Sequence, residues 1–462
     1  MVEIFPHIRN RWQAVNRVYP WSFIGFLTLI GIIKSISTLL FVFWTGRISP
    51  DAFAVMEQNE FLLIFSGLLD DIIPLGILAL VAQNYHNRDK VVEIIKAGLI
   101  LQIFIALLIT CTASFFLRDI VGIIGTPQAI ADQTHAYLML TLITLPIEGI
   151  AYLLIVAVKS LQKGKEACIL IIINVIMNIV LNLFLVSDTS VSLHLGTPGT
   201  AISYFCSQMV VIIVSGFYLT RFLSLDLFSI LKSRWQIHIL PVFRIGVWTG
   251  LSSVLMNLGY LAVLFFFNQM GTTAYGGYNL AYVSIWLITL PVFGLGTATS
   301  VIVGNYFGEK RFADLLVVVK VSVTLVTGAM LAYCGIMILG WKEIIGFIIP
   351  DTAMVVYSAI VFWYLVIPCT GVAIGIILRS IFYGTGRTRY TFYISCIINA
   401  GVILPFFVLT ATGYLKLDFH MTMMVFSFAY LLDPILSYYW ARNVVAEFPF
   451  NKNGSGSKGW RG

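Results

Sequence analysis

Twelve long apolar runs, separated by short polar segments, dominate this sequence. They lie at about 18–44, 60–82, 94–117, 137–158, 167–187, 198–220, 240–268, 279–304, 316–340, 356–380, 390–411 and 419–441. A run of about 18 or more apolar residues is long enough to cross the hydrocarbon core of a bilayer as a helix. The alternating segments of about ten residues that form a membrane β-barrel are absent. The runs therefore predict an all-α integral membrane protein with twelve transmembrane helices.

The composition excludes a water-soluble domain. Apolar residues make up 59% of the chain and charged residues only 11%, whereas a soluble domain carries roughly a quarter charged residues. The six cysteines are scattered singly without a C-x-x-C pair, so neither a disulfide framework nor a zinc site is indicated. The phosphate-binding motif G-x-x-x-x-G-K-[S/T] is missing, and no activated nucleophile is apparent. We therefore expect neither an enzyme nor a metal site.

The basic residues predict the orientation in the membrane. The N-terminal segment, alternate loops and the C-terminal tail carry 23 of the 28 lysines and arginines. Lys96, Lys159 and Arg379 are counted among the loop residues on this side of the membrane. The opposite side holds Arg47, Arg118, Lys342 and Lys416. The positive-inside rule then puts both termini in the cytoplasm. The net charge of +7 reflects this topology in a cell membrane and does not indicate a nucleic-acid partner.

An internal repeat appears at an offset of 222 residues. It relates Pro146 to Pro368, Gly149 to Gly371 and Gly164 to Gly386. Six helices per half is an even number, so both halves enter the membrane from the same side. We therefore expect two six-helix lobes related by a pseudo-two-fold axis along the membrane normal. Parallel repeats of this kind are typical of secondary transporters, with the substrate site at the interface of the halves.

The repeat also predicts the domain limits. The N-lobe, helices 1–6, spans 1–220, and the C-lobe, helices 7–12, spans 240–445. A polar cytoplasmic linker at 221–239 joins them. The tail at 446–462, rich in Gly, Ser and Lys, is predicted to be cytoplasmic and disordered. We expect the protein to be a monomer in the lipid bilayer.

Four stretches of sequence resemble the multidrug and toxic compound extrusion (MATE) family. They are WTGRISPDAFA at 44–54, NVIMNIVLN at 174–182 with GTAI at 199–202, FRIG at 243–246 with GLGTATS at 294–300, and ILRSIFYGTGRTR at 377–389. Together they extend over nearly the whole chain. The resemblance implies an antiporter that exchanges H⁺ or Na⁺ for amphipathic, often cationic, organic compounds, with no cofactor besides the coupling ion.

The chain departs from the family pattern at the positions that couple ion movement to transport. The aspartate of many members in the first helix corresponds to Phe41 here, and the glutamate of the seventh helix to Met256. The family pattern Asn-x-x-x-Asp of the fifth helix is Asn178-x-x-x-Asn182. The resemblance therefore implies the fold without indicating how coupling occurs.

Charged side chains inside the apolar runs are candidates for that role, because a charge at membrane depth costs several kcal/mol. Lys34 lies in the first run, seven residues before Phe41, and seven helical steps return to within about 20° of the same direction. Asp70 and Asp71 lie in the second run. We expect Lys34, Asp70 and Asp71 to form an ion-coupling cluster. The alternative is a static pair that holds the first two helices together.

Neutral polar residues give further candidates. Asn178 and Asn182 share one helix face and could coordinate Na⁺ or bind substrate, and the alternative is hydrogen bonding between helices, worth about 1 kcal/mol. Asp433 is interpreted as structural. An amphipathic substrate lining in the second lobe is predicted at Asn257, Tyr260, Tyr278, Asn279 and Trp286.

These observations leave two functions open. The first is an ion-coupled secondary antiporter that exports amphipathic, cationic organic compounds by alternating access. The second is a lipid-linked or oligosaccharide flippase of the related two-lobe superfamily. Flippase cavities are strongly basic, whereas the predicted membrane interior holds one lysine, Lys34, against three aspartates. This balance favours a cationic or neutral small organic substrate.

Overall fold

A computed structural model describes residues 15–48, 55, 62–123, 128–187, 192–223, 234–270, 272–348, 352–416 and 418–449. Within these ranges the chain is helical and contains no β-strand. Part of the motif at 44–54, the middle of the predicted linker and almost all of the predicted tail lie outside them.

Twelve long helices follow one another in chain order. They are α1 (Trp21–Ile48), α2 (Leu63–Gln83), α3 (Arg88–Phe115), α4 (Gln128–Ser160), α5 (Gly164–Leu185), α6 (Gly196–Leu223), α7 (Gln236–Gln269), α8 (Thr272–Gly308), α9 (Phe312–Ile348), α10 (Thr352–Thr385), α11 (Arg389–Ser395, a π-helical segment Cys396–Ile403, and Leu404–Ala411) and α12 (Phe419–Ala446). A short helix, Leu117–Ile123, lies between α3 and α4. Each of the twelve has a stretch long and apolar enough to span a membrane. The prediction of an all-α protein with twelve membrane-spanning helices is confirmed.

Several helices extend further than the apolar runs. The fourth begins at Gln128 rather than near 137, and the ninth continues to Ile348. Hydropathy marks only the apolar part of a helix, whereas backbone hydrogen bonds continue through its polar ends. As a result Lys96, Lys159 and Arg379 lie inside α3, α4 and α10, and their placement in loops was wrong.

The chain forms two compact units. The N unit comprises residues 32–250, and the C unit comprises residues 1–31 and 251–462. The N unit has an apolar core between α2, α3 and α4 that includes Leu69, Ala106 and Leu142. The C unit has a core rich in phenylalanine that includes Phe266 and Phe382, both fully buried. The predicted lobe limits remain a prediction.

The first half of α1 belongs to the C unit. A Cβ atom at Gly294 of α8 would overlap the backbone carbonyl of Leu27, so only glycine allows α1 and α8 to approach this closely. Tyr19 shares a hydrogen bond of 3.1 Å with Ser322 of α9. The hydroxyl of Tyr306 donates to a backbone carbonyl in the segment before α1 at 2.6 Å.

The first half of α7 belongs to the N unit in a similar way. A Cβ atom at Gly246 would overlap the carbonyl of Ile72 in α2. Near the start of α7, His238 Nε2 lies 3.3 Å from Glu93 Oε2 of α3. Ile72 lies at the contact of α2 with α7, and Gly294 lies at the contact of α8 with α1. These two positions are 222 residues apart. This is consistent with the repeat, and the pseudo-two-fold axis itself remains a prediction.

Candidate functional site

Charged side chains from three helices meet inside the N unit. Asp70 of α2 interacts electrostatically with Asp71, with Lys34 of α1, and with Glu148 and Lys159 of α4. The three carboxylate side chains are half-buried, Lys159 is buried and Lys34 is exposed. The structure therefore brings together Lys34, Asp70 and Asp71, as the sequence predicted. The role of this cluster in ion coupling stays a prediction.

The ring of Tyr152 lies close to both lysines. The Nζ atom of Lys34 is 5.5 Å from the centre of this ring, and the Nζ atom of Lys159 is 5.8 Å from it. Tyr152 and Lys159 are seven residues apart on α4 and so share one helix face. A ring face attracts a cation through its quadrupole, and more strongly where water is excluded. Tyr152 therefore helps to hold two ammonium groups near each other inside the unit.

A hydrogen-bonded chain of polar side chains continues from the cluster. The hydroxyl of Tyr204 on α6 donates to a carboxylate oxygen of Glu148 at 2.6 Å. Tyr204 also interacts with the side chain of Gln208. The amide of Asn174 on α5 donates to Gln208 Oε1 at 3.0 Å. Polar contacts thus run from the charged cluster on α4 through α6 to α5.

Sequence reasoning missed two members of the cluster. Glu148 stands inside the fourth apolar run, between Pro146 and Gly149, which were used only as markers of the repeat. Lys159 was assigned to a loop, but its residue is only 5% exposed. The estimate of one lysine against three aspartates in the interior was therefore wrong, because this cluster alone holds two lysines and three carboxylates. An acidic residue inside a predicted membrane span is a signal by which Glu148 could have been identified.

The two asparagines of α5 contact each other. Asn182 Nδ2 donates to Asn178 Oδ1 at 3.0 Å, along the helix rather than to another helix. Asn182 is 3% exposed, and within the described ranges its Oδ1 atom has no hydrogen-bond partner. The two side chains therefore present oxygen atoms on one face of α5. Phe41 lies in α1, and its side chain is outside the described part of the chain. Met256 is exposed.

The aromatic residues among the predicted lining of the C unit belong to a ladder of rings on α7 and α8. Tyr282 stacks on Tyr260 of α7 at 5.4 Å between ring centres and on Trp286 at 6.1 Å. Tyr278 stacks on Phe267 at 4.2 Å and lies in the core. Trp286 is exposed at 37%, whereas Tyr278 is exposed at only 3%. The ladder thus runs from the core to an open aromatic face.

The asparagines predicted with this lining lie on the same two helices as the rings. Asn257 is on α7 and Asn279 on α8, and both are half-buried. They therefore add polar groups to the two helices that carry the rings.

Asp433 forms a buried ion pair in the C unit. Arg379 of α10 donates to one carboxylate oxygen of Asp433, and Ser437 donates to the other at 3.2 Å. Both charged side chains are largely enclosed. A Cβ atom at Gly375 would overlap the Asp433 carboxylate. Asp433 therefore links α12 to α10, through a partner that sequence reasoning had placed in a loop. Its structural role stays a prediction.

The sequence profile of the MatE family matches residues 27–184 and 249–409, which together cover more than half of the chain. The two matches begin at positions that differ by 222, the offset of the internal repeat. The chain is 23% identical over 309 residues to "Probable multidrug resistance protein YoeA" of Bacillus subtilis (strain 168), which covers 65% of this chain and 66% of that protein. The chain thus spans slightly less than two thirds of this relative.

Solved structures share the fold. A MATE protein in complex with MaD3S has a TM-score of 0.80 at 16% identity, and the match covers 93% of this chain and 96% of that one. A MOP superfamily transporter from Pyrococcus furiosus Vc1 (DSM3638), whose binding pocket of reverse polarity suggests a different function, has a TM-score of 0.81 at 16% identity, with 94% and 97% covered. The profile match over both halves and this common fold show that the chain belongs to the MatE family, whose members are transporters and not enzymes.

Proposed function

We propose that this chain is a secondary antiporter that uses an H⁺ or Na⁺ gradient to export amphipathic, cationic organic compounds by alternating access. The observation that carries the proposal is the cluster of Lys34, Asp70, Asp71, Glu148 and Lys159 inside a transporter of apolar helices. Charges buried at membrane depth are costly, and they mark ion and substrate pathways in membrane proteins.

The cluster could couple ion binding to a conformational change. With every group ionised, three carboxylates face two ammonium groups, and one bound proton or sodium ion would balance them. Adding one charge in a medium of low dielectric constant is a large electrostatic change. A bound ion can shift an equilibrium between two conformations by its difference in affinity for them. The cluster would then take the place of the family carboxylates that are Phe41, Met256 and Asn182 here.

Two other features support an organic substrate. Trp286, at the exposed end of the aromatic ladder, offers its ring to apolar and cationic groups. Asn257 and Asn279 add polar side chains to the two helices that carry these rings. The Bacillus subtilis relative is named a probable multidrug resistance protein, which agrees with export of drug-like compounds.

A flippase for a lipid-linked or oligosaccharide substrate is the second candidate. The reverse polarity of the Pyrococcus furiosus pocket indicates that this fold accommodates pockets of different charge. In the charged cluster of the N unit the carboxylates outnumber the lysines by one. An excess of acid repels phosphate groups, so the balance of charge favours export of a cation over movement of a lipid phosphate.

Transport into proteoliposomes under separately imposed gradients tests the proposal. We expect accumulation of a fluorescent cation such as ethidium to follow either the H⁺ or the Na⁺ gradient and to stop when that gradient is collapsed by an ionophore. Protein-free liposomes are the control for leakage and passive binding. Accumulation that is independent of both gradients, or scrambling of a labelled lipid without cation transport, would contradict antiport. We further propose a cell-membrane location, cytoplasmic termini and a monomeric state.

A further inference from the structure

A cavity of about 470 Å³ lies at one end of the N unit, between the ends of its helices. The turn between α2 and α3, the turn between α4 and α5 and the last residues of α6 form its wall, which includes Tyr85, Arg88, Gln162, Lys163, Phe222 and Leu223. Membrane-spanning stretches end at Gln83, Ser160 and Leu223. The cavity therefore lies where three helices leave the hydrocarbon core, which is the level of the lipid headgroups.

The turn between α4 and α5 fixes the position of Lys163. The backbone N–H of Gln162 donates to the carbonyl of Lys159 at 3.0 Å, and the N–H of Lys163 donates to the carbonyl of Val158 at 3.3 Å. These two bonds form a Schellman motif, which ends many helices. Gln162 has a φ of 56°, in the left-handed region that favours glycine. The turn thus carries a polar side chain where glycine is the easier residue, and that side chain lines the cavity.

The ammonium group of Lys163 lies against an aromatic ring. Its Nζ atom is 4.7 Å from the centre of the ring of Phe222. This ring stacks on Tyr218 at 5.7 Å between ring centres, one turn earlier on α6. In the part of the chain that the structure describes, no ion pair joins Lys163 to a carboxylate. An ammonium group has three donors, and a ring face occupies them only weakly. Lys163 can therefore donate hydrogen bonds to an oxygen of a ligand.

Arg88 adds a second positive charge to the wall. Its guanidinium group donates to the backbone carbonyls of Phe222 and Leu223 at 2.7 and 3.0 Å. These carbonyls end α6, where the helix dipole favours a cation. Among the described residues that line the cavity there is no carboxylate, and the nearby acids Asp89 and Glu166 are not part of the wall. The cavity is therefore positive, and hydrogen bonds hold one of its charges in place.

We propose that this basic cavity binds the headgroup of an anionic phospholipid, with Lys163 donating to a phosphate oxygen and Arg88 stabilising the negative charge. Basic pockets between membrane helices on the cytoplasmic side bind such headgroups. The basic residues predict that the cavity faces this side, where the anionic lipids are found. Phe222 is exposed at 39% and offers an apolar edge to the acyl chains. A bound lipid would join α3, the turn between α4 and α5, and the end of α6, whatever compound is transported.

Native mass spectrometry of the full-length protein in detergent measures this binding. Phosphatidylglycerol and phosphatidylcholine with the same acyl chains both contain a phosphate, but only phosphatidylglycerol has a net negative charge. We expect the wild type to bind its first phosphatidylglycerol about tenfold more tightly than phosphatidylcholine, since a hydrogen bond to a charged group has about this effect. Lys163→Met should remove most of this preference. Lys165→Met removes an exposed lysine of α5 outside the wall and should keep it.

A second variant makes the test independent of Lys163. Gln162→Glu places a carboxylate in the wall, so we expect it to weaken the binding of phosphatidylglycerol and to leave that of phosphatidylcholine nearly unchanged. Gel filtration checks that each variant is folded. A wild type with equal affinity for the two lipids would overturn the proposal. An equal loss of preference in Lys163→Met and Lys165→Met would also overturn it, because the effect would then be one of net charge.

Inorganic phosphate tests the other source of the same chemical group. It is added in excess over the lipid, with sodium chloride at equal ionic strength as the control. We expect phosphatidylglycerol to remain bound, because its acyl chains add contacts that free phosphate lacks. Displacement by phosphate and not by chloride would assign the cavity to a soluble phosphate compound and overturn the lipid. Either result leaves the proposed antiporter to its own test, which depends on ion gradients and not on this cavity.

Discussion

The hydroxyl of Thr249 donates a hydrogen bond of 2.7 Å to the backbone carbonyl of Asp71. This bond joins α7 to the helix that supplies two carboxylates of the charged cluster. Gly246 and Gly250 lie one turn apart around Thr249, and both pack against Ile72 of α2. The backbone at Asp71 is therefore held by α7, and a change of charge there acts at a close helix contact.

The first prediction concerns the cluster itself. Lys34→Met, Asp70→Asn and Asp71→Asn each change its charge while keeping the approximate size of the side chain. We expect each to abolish gradient-driven transport in proteoliposomes and to leave substrate binding measurable, because the ion site would be lost. Thermal melting and gel filtration check that each variant is folded. Wild-type ion dependence in all three variants would show that the cluster is structural.

The hydrogen bond from Tyr204 to Glu148 gives a second prediction. A hydrogen bond to a charged group contributes about 1.5–3 kcal/mol. Tyr204→Phe and Glu148→Gln should each lower stability, and the double variant should lose less than the sum of the two, with an interaction of about 1 kcal/mol. Denaturant titration of the four proteins measures this difference. Additive losses would indicate that the two side chains do not interact in the membrane.

A third prediction concerns the contact of α7 with α2. Gly246→Ala should abolish transport, because the added methyl group overlaps the carbonyl of Ile72 and separates the helices. Gly216→Ala is the matched control in the same unit, since a Cβ atom there has no neighbour within 4 Å. The control should keep its activity and gain up to about 1 kcal/mol of helix stability. Equal transport by both variants would refute the close contact.

The Arg379–Asp433 pair leads to the fourth prediction. Removing one member of a buried ion pair leaves an uncompensated charge and costs about 3–5 kcal/mol. Arg379→Met and Asp433→Leu should therefore lower the melting temperature strongly, whereas the double replacement should recover most of it. The ion dependence of the remaining transport should be unchanged, since the pair is outside the N-unit cluster. Single variants as stable as the wild type would contradict this role.

The fifth prediction follows from the basic residues and concerns topology. A fluorescent protein that folds only in the cytoplasm should be bright when fused after Gly462, and alkaline phosphatase at the same position should be inactive. The sequon at Asn453 should remain unglycosylated in a eukaryotic host. An active phosphatase fusion would place the C-terminus outside and overturn the orientation.

Local chemistry explains why the sequence determined the number and type of the helices. In a bilayer every backbone polar group must be satisfied within the segment, so a long apolar run leads to a helix without information from the rest of the chain. The repeat and the motifs were visible for the same reason, since they are properties of the linear order. The ends of helices were less certain, as α4 shows, because polar residues can continue a helix beyond the apolar run.

Tertiary packing alone decided which charged groups meet. Lys34, Asp70 and Asp71 could be proposed together because they interrupt apolar runs. From the sequence alone Lys159 resembles a loop residue, and only the structure shows that it is a buried residue of α4. Likewise, Asp433 needed a partner, and only the packing of α12 on α10 identifies it as Arg379. Hydropathy reports how apolar a segment is, whereas the partner of a charge depends on the rotation and contact of helices far apart in sequence. The sequence therefore determined the helices and the family, and the packing of those helices decided the composition of the charged cluster.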